Sequence, residues 1–251
     1  MWSGQLLGSD TGNRASWIFT KRGGGVSEGA YTSLNLATHV GDNPSAVQTN
    51  RAHLSQVLGV APHRTRFMRA AHGADVHYVT EEVDFEVPEG DGLITRNSGV
   101  GLAALAADCV PVVMADVDHG VVAAVHCGWP GVVAEVVGAT VQGMLEAGAR
   151  TEQIQAIAGP AICGRCYAVS NERQSRVIAV VPEAASESTA GGPAVDIRRA
   201  VVVQLAAAGV AAKTVGDCTA EDEDLFSFRR DGVTGRQAGA IAFEVNPAQA
   251  G

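Results

Sequence analysis

Two histidines and a cysteine, residue types that often bind metals, interrupt or end apolar segments of this chain. His72 lies in RAAHGADV, Cys109 in AADCVPVV, and His126 ends the run GVVAAVH. Side chains at strand ends meet at the edge of a sheet, a common position for binding sites. Imidazole nitrogen and thiolate sulfur suit zinc, and three protein ligands leave a fourth position for water. The three residues are therefore a candidate metal site, although buried cysteines and strand-end histidines also occur without metal.

The same residues also allow nucleophilic catalysis without a metal. Cys109 would act as the thiolate, His126 as the base and Asp108 as the carboxylate that orients it. Consecutive residues of a strand point to opposite faces, which weakens Asp108 as a direct partner of Cys109. Copurification of a metal would separate the two hypotheses.

Other polar residues offer a weaker basis for chemistry. Cys163 and Cys166 form a single CxxC motif, which is less typical of a redox site because no clear helix start follows it. We expect Cys127 and Cys218 to be structural. Cationic residues able to hold an anion occur in three places: the Gly-rich segment with Lys21 and Arg22, a predicted helix with Arg51, and FSFRRDGVTGRQAG with Arg229, Arg230 and Arg236. Each place also has an ordinary explanation. The Gly-rich segment fits a flexible loop, Arg51 fits a solvated surface charge, and the C-terminal segment fits a turn with common salt bridges.

Periodicity predicts the elements that must position these residues. Asn43 and Pro44 predict the start of a helix that ends at Gly59, and Pro130 opens a second helix that ends at Gly148. Further helices are predicted over 171–180 and 196–208, and a surface loop over 184–194. Strands are predicted over 17–20, 65–69, 75–79, 92–95, 102–106, 110–115, 121–125, 153–158, 210–215 and 239–245. Several of these strands are apolar on both faces, so at least one sheet should be covered on both sides.

Composition narrows the class of protein. The chain has 251 residues, 46% of them hydrophobic, and a formal net charge of −9. This excludes a disordered chain and argues against nucleic acid or an anionic membrane as partner, but not against small anionic ligands. No signal peptide is visible, no apolar run reaches roughly 18 residues, and five cysteines are an odd number, so we expect a cytoplasmic protein with reduced thiols. Residues 1–15 are predicted to be a flexible arm, and residues 16–251 a single α+β domain.

Several segments together resemble the bacterial YfiH/YlmD family, also called the laccase-domain or polyphenol-oxidase-like family. The similar segments, in the family's order, are GGVSEGAYTSLNLATHVGDNPSAVQTNR, AHGADV, DGLITR, ADCVPVVMAD, AAVHCGWPG, GPAICGRCYAV and LFSFRRDGVTGRQAG. The resemblance implies a single domain of mixed β-sheets flanked by helices. It also implies a zinc site made by His72, Cys109 and His126.

The activity implied by the resemblance is phosphorolysis of adenosine, inosine and methylthioadenosine, together with adenosine deamination. Some family members are implicated in editing peptidoglycan precursors. This chain departs from the family pattern before His72, where Ala70 and Ala71 replace Gln-Val, and at Pro130, which replaces Arg. Cys127 replaces Ala, and Phe228 stands where His or Tyr is common.

The candidate functions differ in what they require of the sequence. A multicopper oxidase needs a trinuclear cluster with many histidines, usually in His-x-His pairs, whereas this chain has seven histidines and no such pair. A single zinc site, with Cu²⁺ as an alternative occupant, suits nucleoside chemistry better. We expect catalytic roles for Cys109, His126 and Arg51. Phosphate would be held by Arg51, with Arg22 or Arg236, and Asn35 would contact base or ribose. A cysteine or metal hydrolase acting on cell-wall precursors and a non-catalytic metal-binding protein remain alternatives.

Overall fold

The computed structural model describes residues 1–80 and 89–249, which form one α+β domain. The strands are β1 (Trp2–Leu7), β2 (Arg14–Phe19), β3 (Thr65–Phe67), β4 (Val76–Tyr78), β5 (Gly92–Thr95), β6 (Gly101–Ala106), β7 (Val110–Asp116), β8 (Val121–Cys127), β9 (Gln155–Ala158), β10 (Ala185–Glu187), β11 (Pro193–Val195), β12 (Ala211–Thr214) and β13 (Gln237–Glu244). The helices are α1 (Pro44–Leu58), α2 (Trp129–Val133), α3 (Val136–Glu146), α4 (Asn171–Ile178), α5 (Ile197–Ala207) and α6 (Phe228–Asp231).

Two mixed sheets pack face to face at the centre of the domain. One has the strand order β1-β2-β13-β6-β3, and the other has the order β12-β9-β7-β8-β5-β4. Phe19 and Ile241 of the first sheet share an apolar cluster with Val113 and Ala124 of the second. Every residue of β7 and β8 is buried, because alternate side chains enter the cores on both sides of the sheet.

Helices cover the outer faces of both sheets and complete four layers. The outer face of the six-stranded sheet packs against α2, α3 and α5, with Val112 and Met114 among the buried contacts. The outer face of the five-stranded sheet packs against α1 and the long segment that precedes it. Helix α1 begins as predicted, with the Asn43 side chain accepting a hydrogen bond from the Ser45 amide, and ends at Gly59 in the left-handed conformation.

Three sequence-based predictions are wrong in detail. The helix predicted over 130–148 is two helices, α2 and α3, separated at Glu135, whose φ is +59°. The loop predicted over 184–194 contains the antiparallel pair β10 and β11. Residues 1–15 are not an unpaired arm: β1 pairs along its length with β2, and the turn after β1 donates five backbone and hydroxyl hydrogen bonds to Asp118, for example from Ser9. That turn depends on a carboxylate distant in the sequence, which local composition does not reveal.

Among the residues that the structure describes, no helix is long and apolar enough to cross a bilayer.

Candidate metal centre and its cavity

The predicted metal ligands come together from three separate parts of the chain. His72 lies between β3 and β4, Cys109 lies between β6 and β7, and His126 is the penultimate residue of β8. Their ligand atoms all lie within 4.8 Å of one another, and Cys109 Sγ is 4.0 Å from His72 Nε2. The two imidazole rings meet edge to face, with 4.8 Å between centroids. The structure therefore gathers the three ligand atoms that the sequence suggested.

A buried carboxylate, Asp91, holds both histidines in place. Its Oδ1 lies 2.8 Å from His126 Nδ1 and accepts a hydrogen bond from the His72 amide, while Oδ2 accepts one from the Gly73 amide. Burial acts to raise the pKa of Asp91, but the hydrogen bonds from His126 and the two amides outweigh it and lower the pKa. An ionised Asp91 fixes Nδ1 of His126 as a donor and leaves Nε2 facing Cys109, as is usual for metal-ligating histidines.

The backbone around the ligands is shaped to let them approach closely. A Cβ atom at Gly128 would lie 2.9 Å from His72 Cδ2 and 3.2 Å from Cys109 Sγ, so any larger residue would displace two ligands. His72 and Asp108 both have positive φ angles, of 59° and 96°, which are unusual for residues with a side chain. Such strain often accompanies a functional constraint.

The electrostatics of the trio favour the thiolate form of cysteine. Burial acts to raise the pKa of Cys109, but the charge of His126 and hydrogen bonds from His126 and His72 outweigh it and lower the pKa. Burial acts to lower the pKa of His126, but the Cys109 thiolate and Asp91 outweigh it and raise the pKa. Thiolate is the form of cysteine that ligates a metal. Two imidazoles and one thiolate facing a common point, with an ionised carboxylate behind, are a donor set that fits Zn²⁺.

Asp108 has a different role from the one considered for a catalytic triad. Its carboxylate accepts hydrogen bonds from the Thr219 and Ser227 hydroxyls, at 2.6 and 2.7 Å, and from the Arg229 amide. Asp108 therefore anchors the start of α6, while Asp91 is the carboxylate that orients His126.

The three ligands lie in a cavity of about 630 Å³. Its walls are largely aromatic and cationic, and three arginines stack on aromatic rings. The guanidinium of Arg229 lies 4.9 Å from the ring centroid of Tyr167, and Arg173 lies 4.9 Å from that of Trp129. The third pair, Arg236 on Phe228, is at 5.9 Å. The full lining comprises His39, Met68, Arg69, Ala70, His72, Glu89, Leu105, Ala106, Ala107, Asp108, Cys109, His126, Trp129, Tyr167, Arg173, Phe228, Arg229 and Arg236.

Part of the cavity wall is strongly cationic. Burial lowers the pKa of His39, and the positive charges of Arg236 and Arg51 lower it further. Arg51 lies just behind the lining residues: its Nε donates to the Leu36 carbonyl, and its guanidinium stacks on Phe67 at 4.1 Å. Burial lowers the pKa of Arg51 to about 10, so it remains charged at neutral pH. Buried cations of this kind are suited to holding an anion.

The predicted substrate-binding residues do not all reach the cavity. Arg236 lines it, whereas Arg22 is held elsewhere by the Thr32 carbonyl and by Asp231. Asn35 is fully buried, and its amide bonds to Asp42, to the Ala37 backbone and to the Arg236 amide. Asn35 therefore positions the backbone of Arg236 and presents no free amide to the cavity.

Comparisons with known proteins show the family and the fold of this chain. A family model described as multi-copper polyphenol oxidoreductase laccase matches residues 16–244. The chain belongs to this family. The fold is that of YfiH from Bacillus licheniformis, at 29% identity, and of YlmD from Geobacillus stearothermophilus, at 33% identity. Both superpose with a TM-score of 0.84; the first covers 91% of this chain and 92% of its own, and the second 92% of each.

Curated relatives in the family carry a different name from the family model. A protein of Streptomyces coelicolor named purine nucleoside phosphorylase is 47% identical over 234 residues, which are 92% of this chain and 97% of that protein. The purine nucleoside phosphorylase YfiH of Shigella flexneri is 37% identical over 222 residues, or 87% of this chain and 89% of that protein. These names support an enzyme of the purine nucleoside phosphorylase kind.

Sequence reasoning missed several residues of the site. Asp91 begins the segment DGLITR, but nothing in the sequence indicates that its carboxylate turns back to both histidines. Tyr167 and Arg173 lie more than 40 residues beyond His126 and reach the cavity from the segment before α4 and from α4 itself. Their aromatic and cationic types are the one signal present, and it is a weak one.

Proposed function

We propose that this protein is a zinc-dependent purine nucleoside phosphorylase acting on adenosine, inosine and methylthioadenosine, with a secondary adenosine deaminase activity. The proposal rests on one observation: a group able to bind a metal and a cationic wall lie in the same cavity. The trio of His72, Cys109 and His126 is fit for a metal, and the wall near His39 and Arg236 is cationic. A nucleoside and a phosphate require this combination of a reactive centre and an anion site.

The reaction transfers a ribosyl group to phosphate. A phosphate oxygen bonds to C1′ of the ribose, the bond from C1′ to the base nitrogen breaks, and the base leaves after accepting a proton. Arg236, with the charge of Arg51 behind it, would hold the phosphate dianion and keep one oxygen aimed at C1′. We assign no phosphate contact to Arg22, because it neither lines the cavity nor, unlike Arg51, acts by its charge on His39 in the cavity wall.

Zinc on the three ligands would supply a Lewis acid with an open coordination position at the cavity wall. Residues around the ligands keep the ligand side chains in position. Asp91 keeps Nε2 of His126 directed at the cavity, and Gly128 leaves room for His72 beside Cys109. Cu²⁺ is a possible competitor for the same donors, because it binds most nitrogen and sulfur sites more tightly than Zn²⁺ does.

Aromatic side chains would hold the purine. Tyr167, Trp129 and Phe228 line the cavity, and each carries an arginine on its ring. Planar rings of this kind stack with bases without distinguishing adenine from hypoxanthine. Deamination adds a water oxygen at C6 of adenine and releases ammonia. Glu89, a cavity carboxylate that pairs with Arg69, would take a proton from that water and pass it to the leaving amino nitrogen.

The test is a product assay with defined metal content. Purified protein would be incubated with inosine, adenosine or methylthioadenosine, with and without phosphate, and bases, inosine and ribose 1-phosphate would be quantified. We expect phosphate-dependent release of free base, its loss on chelation and its return with zinc. Absence of products from zinc-loaded wild type would refute the proposal, and recovery with copper alone would refute zinc as the metal.

A second function, a cysteine hydrolase acting on peptidoglycan precursors, is favoured by one observation. Asp91, His126 and Cys109 form a chain of carboxylate, imidazole and thiol like that of a catalytic triad. Such a hydrolase would stay active after metal removal. A multicopper oxidase is not supported, because all seven histidines lie in the described part of the chain and two of them belong to a metal-capable group.

A further inference from the structure

A second group of metal-ligating side chains lies outside the cavity. The sulfurs of Cys163, Cys166 and Cys218 and a carboxylate oxygen of Glu221 all lie within 4.8 Å of one another. The four residues form two pairs with the same spacing, Cys163-x-x-Cys166 and Cys218-x-x-Glu221. None of them lines the cavity described above.

The sheet brings the two pairs together. Cys163 and Cys166 follow β9, Cys218 and Glu221 follow β12, and these two strands are parallel neighbours. The pairing continues beyond the strands as a parallel bridge between Ala161 and Cys218. Because parallel strands end at the same edge of a sheet, the two segments leave it side by side.

Backbone amides fix the central sulfur of the group. The amide of Cys163 donates to Cys218 Sγ at 3.2 Å, and the amide of Ala220 donates to the same sulfur. Cys166 Sγ donates to Glu221 Oε1 at 3.4 Å, which joins two of the other donors across the gap between the segments. Hydrogen bonds that orient ligand sulfurs in this way are typical of metal sites.

We propose that Cys163, Cys166, Cys218 and Glu221 bind a structural zinc ion. A tetrahedral site has Zn–S distances of about 2.3 Å, so its sulfurs lie a little under 4 Å apart, and its carboxylate oxygen is about 2.0–2.2 Å from the metal. The donors here are near that spacing without a metal and come from two paired segments. Four protein donors close the coordination shell, which is the mark of a structural zinc site.

The alternative use of the group, a redox disulfide, fits the arrangement less well. A disulfide would join two of the three sulfurs and leave the third beside Glu221 without a role. The CxxC segment itself forms a turn and is followed by an isolated bridge at Ala168, and α4 begins only at Asn171. The reactive cysteine of redox CxxC motifs is activated at a helix start, which is missing here.

The proposed zinc would brace the cavity from behind. Cys166 is followed by Tyr167, which lines the cavity, and Cys218 is followed by Thr219, whose hydroxyl donates to Asp108 at 2.6 Å. Asp108 precedes Cys109 and anchors the start of α6. Residues on two sides of the cavity therefore adjoin the proposed ligands, so loss of this zinc should loosen the cavity without removing a group that contacts substrate.

The test counts metal in five proteins purified under reducing conditions, incubated with excess zinc and desalted. We expect two zinc ions per chain in the wild type, one in Cys109→Ser, one in Cys166→Ser and none in the double variant. Cys127→Ala, which removes a buried thiol belonging to neither group, should keep both ions. Cobalt(II) bound to Cys109→Ser should show stronger thiolate-to-cobalt absorption than cobalt(II) bound to Cys166→Ser, because it has three sulfur ligands in place of one.

If Cys166→Ser fails to fold, Glu221→Gln takes its place in the test, because the exposed side chain of Glu221 tolerates the change. We expect this variant to lose the second zinc to a competing chelator at least tenfold more readily than the wild type, with the first zinc unaffected. A single zinc ion in the wild type that is lost in Cys109→Ser, or unchanged zinc retention in both variants, would overturn the proposal. So would a wild-type mass lower by two hydrogens under the same reducing conditions, which would establish a disulfide. The two groups share no ligand, so these outcomes are independent of the phosphorolysis assay.

Discussion

Two groups of metal-ligating side chains in this domain have similar donors and different surroundings. The group of His72, Cys109 and His126 has three donors, an ionised carboxylate behind it and a cavity of about 630 Å³ in front. The group at Cys163 and Cys218 has four donors and faces no part of that cavity. The number of donors and the presence of a cavity separate a centre fit for chemistry from one fit for structure.

The largest expected effect comes from removing Cys109, the thiolate ligand of the first group. Cys109→Ala should abolish metal binding at the cavity and lower kcat/KM for inosine phosphorolysis by about a thousandfold, because several kcal/mol of transition-state stabilisation are lost. Cys166→Ala should instead lower the Tm and leave kcat/KM within about tenfold of the wild type. Equal losses of activity in the two variants would show that the comparison between the groups is wrong.

The carboxylate behind the histidines distinguishes the two groups further. Asp91→Asn should keep the shape of the side chain but weaken its hold on His126 and on the His72 and Gly73 amides. We expect zinc affinity at the cavity to fall by about 10–100-fold, as in other metal sites that lose such support. Isothermal titration with zinc would measure this. Asp75→Asn, at an exposed carboxylate between His72 and β4, is the control and should bind zinc as the wild type does.

The residues of the first group show what the sequence could and could not predict. The three residues could be named as a candidate metal site because each interrupts or ends an apolar segment and lies in a motif that resembles the family's. Most helices and strands were predictable from periodicity and from signals such as Asn43 and Gly59. Asp91 was not, because its role depends on a hydrogen bond to a residue 35 positions away. Long-range contacts of this kind leave no local pattern.

The arginines and Asn35 also show that residue type alone does not predict which side chains reach the cavity. Arg22 and Arg236 are equally charged and both lie beside glycines, yet Arg236 reaches the cavity and Arg22 bonds to Thr32 and Asp231. Asn35 lies in the resembling segment, but its amide is used within the protein. Residue type therefore predicts which chemistry is available, whereas the fold decides which side chain delivers it.

That difference between the arginines predicts a selective effect on phosphate. Arg236→Gln should raise the KM for phosphate by about tenfold or more, because a charge-assisted hydrogen bond contributes about 1.5–3 kcal/mol. The KM for inosine should change less, and zinc content should stay at the wild-type value. Steady-state kinetics with phosphate varied at saturating inosine would measure this. Arg22→Gln is the matched control, and a comparable rise in that variant would place the phosphate elsewhere.

The smallest expected effect lies at the rim of the cavity. Phe228 is 58% exposed, lines the cavity and carries the Arg236 guanidinium 5.9 Å from its ring centroid, so it is placed to stack on a purine. Phe228→Ala should raise the KM for inosine about fivefold, the effect of losing about 1 kcal/mol of aromatic contact, with kcat nearly unchanged. Val233→Ala, at another exposed apolar side chain, should leave the KM unchanged. If Phe228→Ala also left it unchanged, the base would bind deeper, between Tyr167 and Trp129.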